Sequence, residues 1–185
     1  AIKAALERIE LDPKLVDEVF MGNVVQAGTG QAPAKQAALY AGLPDTVPCT
    51  TVNKVCASGM KSIAFAAQAI QCGDAEIVVA GGMENMSRIP HYMAARNGQK
   101  FGDIKVEDGL LKDGLVNVYD GKHMGTCGDA CAEKFDFTRE EIISSAARRG
   151  RRLPPDLGDV IYTFRYRSEL PPRIVEAAPE GKTWS

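Results

Sequence analysis

The sequence predicts a layered α/β domain, and two observations carry that class. Segments of helical period and of strand character alternate up to Gly82. The run "AEIVVAGG" (75–82) is short, wholly apolar and bounded by glycine, as in a strand buried on both faces of a sheet. The chain has 185 residues, enough for one sizeable core, with an ordinary balance of 45% hydrophobic and 25% charged residues.

The elements follow in order. Ile2, Ala5, Leu6 and Ile9 have helical spacing. Asp12-Pro13 restarts a short helix, with Asp as N-cap and Pro in the first turn. "EVFMGNVV" (18–25) reads as a strand bent at Gly22, and "GTGQAP" (28–33) as a loop. "AKQAALYAGLP" (34–44) is a helix stopped by Gly42 and Pro44. "PCTTVNKV" (48–55) is β-branched and strand-like. "SGMKSIAFAAQAIQCG" (58–73) is a helix ended by Gly73. Region 83–122 is rich in Gly, Asp, Asn, Met and Tyr and weakly periodic, so it reads as a loop excursion from the core. "MGTCGDACAEKF" (124–135) returns to helix. The tail 148–185 carries two Pro-Pro pairs and the arginine cluster "RRGRR", read as a solvated loop because nearby acids offset it. Within it "GDVIYTFRYR" has the alternating polarity of a strand.

Charge and cysteine usage exclude several functions. A net charge of -2 leaves no electrostatic footprint for nucleic acid or an anionic membrane surface. No apolar run approaches the roughly 20 residues that span a bilayer. The five cysteines (49, 56, 72, 127 and 131) are odd in number and lack C-x-x-C spacing, and only two histidines accompany them. Free thiols in a reducing compartment are expected, with no metal site. Cys127 and Cys131 share a helix face and read as small buried residues. The chain starts without Met and inside a helical pattern, which reads as a truncated start.

"VNKVCASGMKS" (52–62) poses the chemical question. Cys56 ends a β-branched run, precedes small residues, and stands directly before a helix. It is either a small buried hydrophobe or a nucleophile presented at a strand-to-helix turn. A helix N-terminus favours the thiolate, and backbone N–H groups at such a turn can stabilise an oxyanion.

The wider pattern bears on that choice. "VNKVCASGMKSIAFAAQAI" (52–70) resembles the active-cysteine signature of the thiolase family. "VFMGNVVQAGTGQAPAKQAALYAGLP" (19–44), "VVAGGMENMSRIPH" (78–91) and "DGLVNVYDGKHMG" (113–125) resemble further segments of that family, in the same order. The resemblance covers about residues 1–140, with Lys35 standing where an Arg is usual, and leaves 141–185 unmatched. It implies a layered α-β-α fold, of which this chain carries part of the N-terminal half. The expected division is a partial α/β core (1–88), a loop or cap region with a returning helix (89–140), and the tail (141–185). The resemblance also implies acyl transfer from coenzyme A thioesters, which are substrates rather than tightly bound cofactors. Cys56 corresponds to the acylated cysteine, and His123 and Met124 to the loop over the acyl and pantetheine end of the substrate. Glu84 and Asn53 are expected to bond the backbone of the surrounding turns. The complete family member is expected to be a homo-oligomer, a dimer or tetramer, with a cytoplasmic location and an organelle matrix left open. Among folds of this kind, a decarboxylating ketoacyl synthase is the nearest alternative; the Gly-Gly-Met-Glu-x-Met-Ser and His-Met-Gly segments favour thiolase.

Three segments of the family's machinery do not occur in this sequence. These are a Gly-His-Pro, a Cys-x-Gly-Gly-Gly and an Asn-Glu-Ala segment, which supply the activating histidine, the second catalytic cysteine and part of an oxyanion hole. The alternative reading is therefore a catalytically incomplete fragment or chimera, with exposed apolar surface that favours association.

Overall fold

The computed structural model describes residues 1–141 and the backbone of two later strands, 161–167 and 170–176. These fall into two units, 1–85 with 159–185, and 86–158. The arginine cluster at 148–152 lies outside the described residues.

In the first unit, helix α1 (Ile2–Arg8) leads through a 3₁₀ turn (Pro13–Leu15) into strand β1 (Glu18–Gly22). Asp12 caps the turn by accepting from the Lys14 N–H at 3.0 Å, as its place before Pro13 predicts. Helix α2 (Pro33–Tyr40), strand β2 (Cys49–Val52), helix α3 (Ser58–Cys72) and strand β3 (Ile77–Gly82) follow. β1 pairs in parallel with β2 on one side and β3 on the other, in registers that align Gly22 with Val52 and with Gly82. The carboxyl ends of all three strands are therefore level. β3 pairs on its far side, antiparallel, with β6 (Ile161–Arg167), which pairs with β7 (Leu170–Glu176). The strand read in "GDVIYTFRYR" thus forms in the tail and extends the sheet.

The period-two alternation of the strands divides the core into two layers. Val19, Met21, Ile77 and Val79 face Ile2, Ala5 and Leu6 of α1 and Ala34 and Ala38 of α2. Phe20, Val78 and Ala80 face the other way, onto Ala66 and Ile70 of α3. β3 carries buried residues on both faces, Val78 at 0% and Val79 at 1% exposure, as its unbroken apolar run predicts. The result is an α-β-α sandwich.

Two strands are shorter than the sequence pattern predicts. The run 18–25 does not bend at Gly22 but ends there, because the N–H groups of Val24 and Val25 turn to the Glu84 carboxylate. The run 48–55 ends at Val52, because Val55 enters the left-handed region. From α2, Lys35 tethers the chain before β2, its Nζ donating to the carbonyls of Asp45 and Val47 at 2.7 Å each. That fixes the loop leading into β2.

The second unit begins with a 3₁₀ turn (Met86–Arg88) and an antiparallel pair, β4 (His91–Met93) with β5 (Val106–Asp108). A π-helical turn (Leu111–Leu115) and helix α4 (Gly125–Phe135) follow. Polar contacts hold it: Tyr92 Oη donates to Asp113 at 2.6 Å, and Lys105 and Lys112 both bond Glu107. The Asp113 hydrogen bond holds the Tyr92 phenol above its usual range, and the two lysines hold the Glu107 carboxyl below its own. α4 buries none of its residues. Cys127 and Cys131 are accordingly exposed, against the expectation that they are buried, because no described element covers their face.

Candidate active site around Cys56

The turn between β2 and α3 rises from the level carboxyl ends of the parallel strands, where ligands of open α/β sheets bind. Cys56 is exposed there, two residues before Ser58 opens α3. No side chain caps the helix. Cys56 is thus not the small buried hydrophobe that its neighbours in sequence allowed.

Val55, immediately before it, has φ +48°. For a β-branched residue this is a strained conformation, costing about 1–3 kcal/mol, that persists only when its surroundings over-determine it. Here they do. Asn53 Oδ1 accepts from the Val55 N–H at 3.0 Å. The Val55 carbonyl accepts from the Ser58 N–H at 3.0 Å and from Ser58 Oγ at 2.6 Å. Ser58 Oγ in turn accepts from the Lys54 N–H at 2.8 Å. Both backbone groups of the strained residue are therefore tied.

Three glycines let α3 approach closely enough for this turn to form. A Cβ on Gly22 would stand 2.5 Å from Gly59 N and 2.5 Å from the Ser58 carbonyl carbon. A Cβ on Gly82 would stand 3.4 Å from Gly59 Cα. The first turn of α3 thus lies against the bare ends of β1 and β3. The buried polar residues among those described are Asn23, Ser58 and Ser62, in this same region. Ser62 Oγ donates to the Ser58 carbonyl at 3.0 Å, and Asn23 Nδ2 to the Met83 carbonyl at 3.0 Å.

Glu84 follows β3 and bonds the loop after β1. Its carboxylate accepts from the N–H groups of Val24 at 2.7 Å and Val25 at 3.2 Å, and from Asn23 Nδ2 at 3.3 Å. Asn53 joins that loop to the cysteine turn by donating from Nδ2 to the Val24 carbonyl at 3.1 Å. Both residues bond backbone, as expected from the sequence. Val55 and Gly22 carry the turn as well, and sequence reading gave neither of them this part.

His123 and Met124 belong to the second unit. His123 Nδ1 accepts from the Gly125 N–H at 3.0 Å, so the neutral ring carries its proton on Nε2. Its carbonyl accepts from Thr126 N at 3.0 Å and Thr126 Oγ1 at 2.8 Å. A bridge from Val116 to His123 holds the approach to α4. Met124 is 42% exposed.

Of the other thiols, Cys49 is half-buried and donates from Sγ to the Val47 carbonyl at 3.3 Å. Burial pushes its thiol up, against an opposing pull from Lys35 and with a further push from Glu18. Cys72, Cys127 and Cys131 are exposed. A cleft of about 260 Å³ opens on the α1–α2 side of the sheet, lined in part by Ile2, Met21, Tyr40 and Met83 and not by Cys56. Among the described residues no group of three or more His, Cys, Asp or Glu could hold a metal ion, and no helix is long and apolar enough to cross a membrane.

A family model described as thiolase, N-terminal domain, matches residues 1–152. Acetyl-CoA acetyltransferase 2 of Arabidopsis thaliana is 60% identical over 142 residues, covering 76% of this chain and 35% of that protein. The acetyl-CoA acetyltransferase of Schizosaccharomyces pombe is 57% identical over 140 residues, 75% of this chain and 35% of its own length. The chain spans about a third of the length of these relatives. The crystal structure of the Ascaris suum Acat5 thiolase in complex with coenzyme A superposes with a TM-score of 0.74 at 39% identity, covering 81% of this chain and 39% of that one.

Proposed function

The chain belongs to the thiolase family, and from that premise we propose that Cys56 is the acyl-accepting nucleophile of an acyl-CoA acyltransferase. The observation that carries this reading is the exposed Cys56 behind a strained, fully tied Val55 at the start of α3. In the step proposed, Cys56 Sγ attacks the thioester carbonyl carbon. The bond from that carbon to the coenzyme A sulfur breaks, the acyl group stays on Cys56, and the cysteine proton leaves with coenzyme A as its thiol. Covalent capture divides one hard transfer into two easier ones. In a complete family member the second step condenses the acyl group with another acyl-CoA, or the cycle runs backward to cleave a 3-ketoacyl-CoA. The names of the relatives support acetyl as the group carried.

His123 and Met124 are proposed to contact the acyl and pantetheine end of the substrate, by their place in the His-Met-Gly segment. Coenzyme A thioesters are then substrates, and no resident cofactor is invoked. A complete family member is proposed to be a homo-oligomer, a dimer or tetramer. A cytoplasmic location is proposed, with an organelle matrix left open; a Xenopus laevis relative is named as mitochondrial. The chain alone is proposed to accept an acyl group without turning over, because its sequence lacks the Gly-His-Pro, Cys-x-Gly-Gly-Gly and Asn-Glu-Ala segments.

Incubation of the purified chain with acetyl-CoA, followed by mass mapping, tests this. The expected result is a slow, single acetyl increment on the Cys56 peptide, discharged by added coenzyme A and absent from Cys56→Ser. Acetylation confined to other residues, or none, overturns the assignment.

A further inference from the structure

We infer that Glu84 and Asn53 are positioning residues for Cys56, acting as two links of one hydrogen-bonded relay across the carboxyl ends of the sheet. The inference rests on the reading of Cys56 as the nucleophile. The relay starts at the Glu84 carboxylate, which holds the N–H groups of Val24 and Val25. The carbonyl of the same Val24 accepts from Asn53 Nδ2. The other end of that amide, Oδ1, accepts from the Val55 N–H. Val55 is the residue held at φ +48°, and Cys56 is next in the chain.

Every link has ordinary length, and together they join three segments: the end of β3, the loop after β1, and the turn after β2. Asn53 is exposed and is not among the residues of either core layer, so its two bonds, rather than packing, define its contribution. An asparagine suits this post because its side chain donates and accepts at once. A carboxylate suits the other because it accepts from several N–H groups together. Without the relay, Val55 can relax out of the left-handed region and gain the strain energy. Cys56 would then leave the place at the start of α3 where the tied turn presents its exposed thiol.

The test compares Cys56 alkylation rates in the full chain, with Cys72 at the far end of the same helix as internal reference. Asn53→Ala and Glu84→Ala are each expected to slow Cys56 by about tenfold or more, the loss that corresponds to releasing the strained conformer. The Cys72 rate and the far-UV circular dichroism should stay unchanged. Asn53→Asp, which keeps the acceptor to Val55 and loses the donor to Val24, should fall between wild type and Asn53→Ala. The double alanine variant should be no slower than the slower single one, because links of one relay are not additive. If Glu84→Ala fails to fold, Glu84→Gln replaces it and should show a smaller slowing. Wild-type rates in Asn53→Ala and in either Glu84 variant overturn the inference while leaving the nucleophile assignment standing. A wild-type Cys56 no faster than Cys72 overturns the nucleophile assignment itself, and the relay's purpose with it.

Discussion

Gly22→Ala is expected to lower the stability of the first unit by about 3 kcal/mol, at the upper end of what overpacking costs. The added Cβ would stand 2.5 Å from two backbone atoms of α3, Gly59 N and the Ser58 carbonyl carbon, and 2.8 Å from Ser58 Cβ. Neither side can yield cheaply. β1 is paired on both edges, and the start of α3 is tied to Lys54 and Val55 through Ser58. Urea unfolding should show a midpoint lower by about 1–3 M, given typical m-values for small proteins. Gly128→Ala is the control. No atom lies within 4 Å of its Cβ position, and it stands inside α4, so alanine there should be neutral or stabilising by up to about 1 kcal/mol. Equal stability of Gly22→Ala and wild type contradicts the close packing of α3 on the strand ends. The same substitution should also slow Cys56 alkylation, since it displaces the turn that presents the thiol.

The second large effect concerns turnover. Thiolysis of a 3-ketoacyl-CoA by this chain alone is expected to fall at least about a hundredfold below that of a complete thiolase. General acid–base catalysis contributes roughly 10²–10⁴ in such reactions, and the residues the family uses for it do not occur in this sequence. His91 and His123 offer no substitute by motif. His123 Nδ1 is engaged by the Gly125 N–H, and His91 lies 4.0 Å from the Asp108 carboxylate. A steady-state assay with purified chain beside a complete relative measures this. Robust thiolysis by the chain alone contradicts the incomplete-site reading and leaves the family assignment intact.

Much of this was legible in the sequence where local chemistry and tertiary structure agree. The apolar run at 75–82 became the strand buried on both faces, and Gly73 became the left-handed stop of α3 at φ +81°. Cys56 could be singled out because it stands where strand character gives way to helix. Val55 could not, because valine resists positive φ and nothing local announces that Asn53 and Ser58 hold it there. Gly22 read as a bend within a strand. Its function is a contact with residues 58 and 59, which only the folded sheet brings near. Glu84 was readable as a backbone ligand, but its partners lie some 60 residues away. The spacing of Cys127 and Cys131 predicts their shared helix face but not their exposure, since a shared face is covered only when another element packs on it.

Limited alkylation at neutral pH, with less than one equivalent of iodoacetamide and peptide mapping of all five thiols, tests the central claim most directly. The structure exposes Cys56, Cys72, Cys127 and Cys131 alike, so accessibility alone would spread the label among four sites. Cys56 is expected to take most of it, because it alone stands on a tied turn at the start of a helix packed on the ends of parallel strands. Equal labelling of the four exposed thiols, or preference for Cys127 or Cys131, would contradict it.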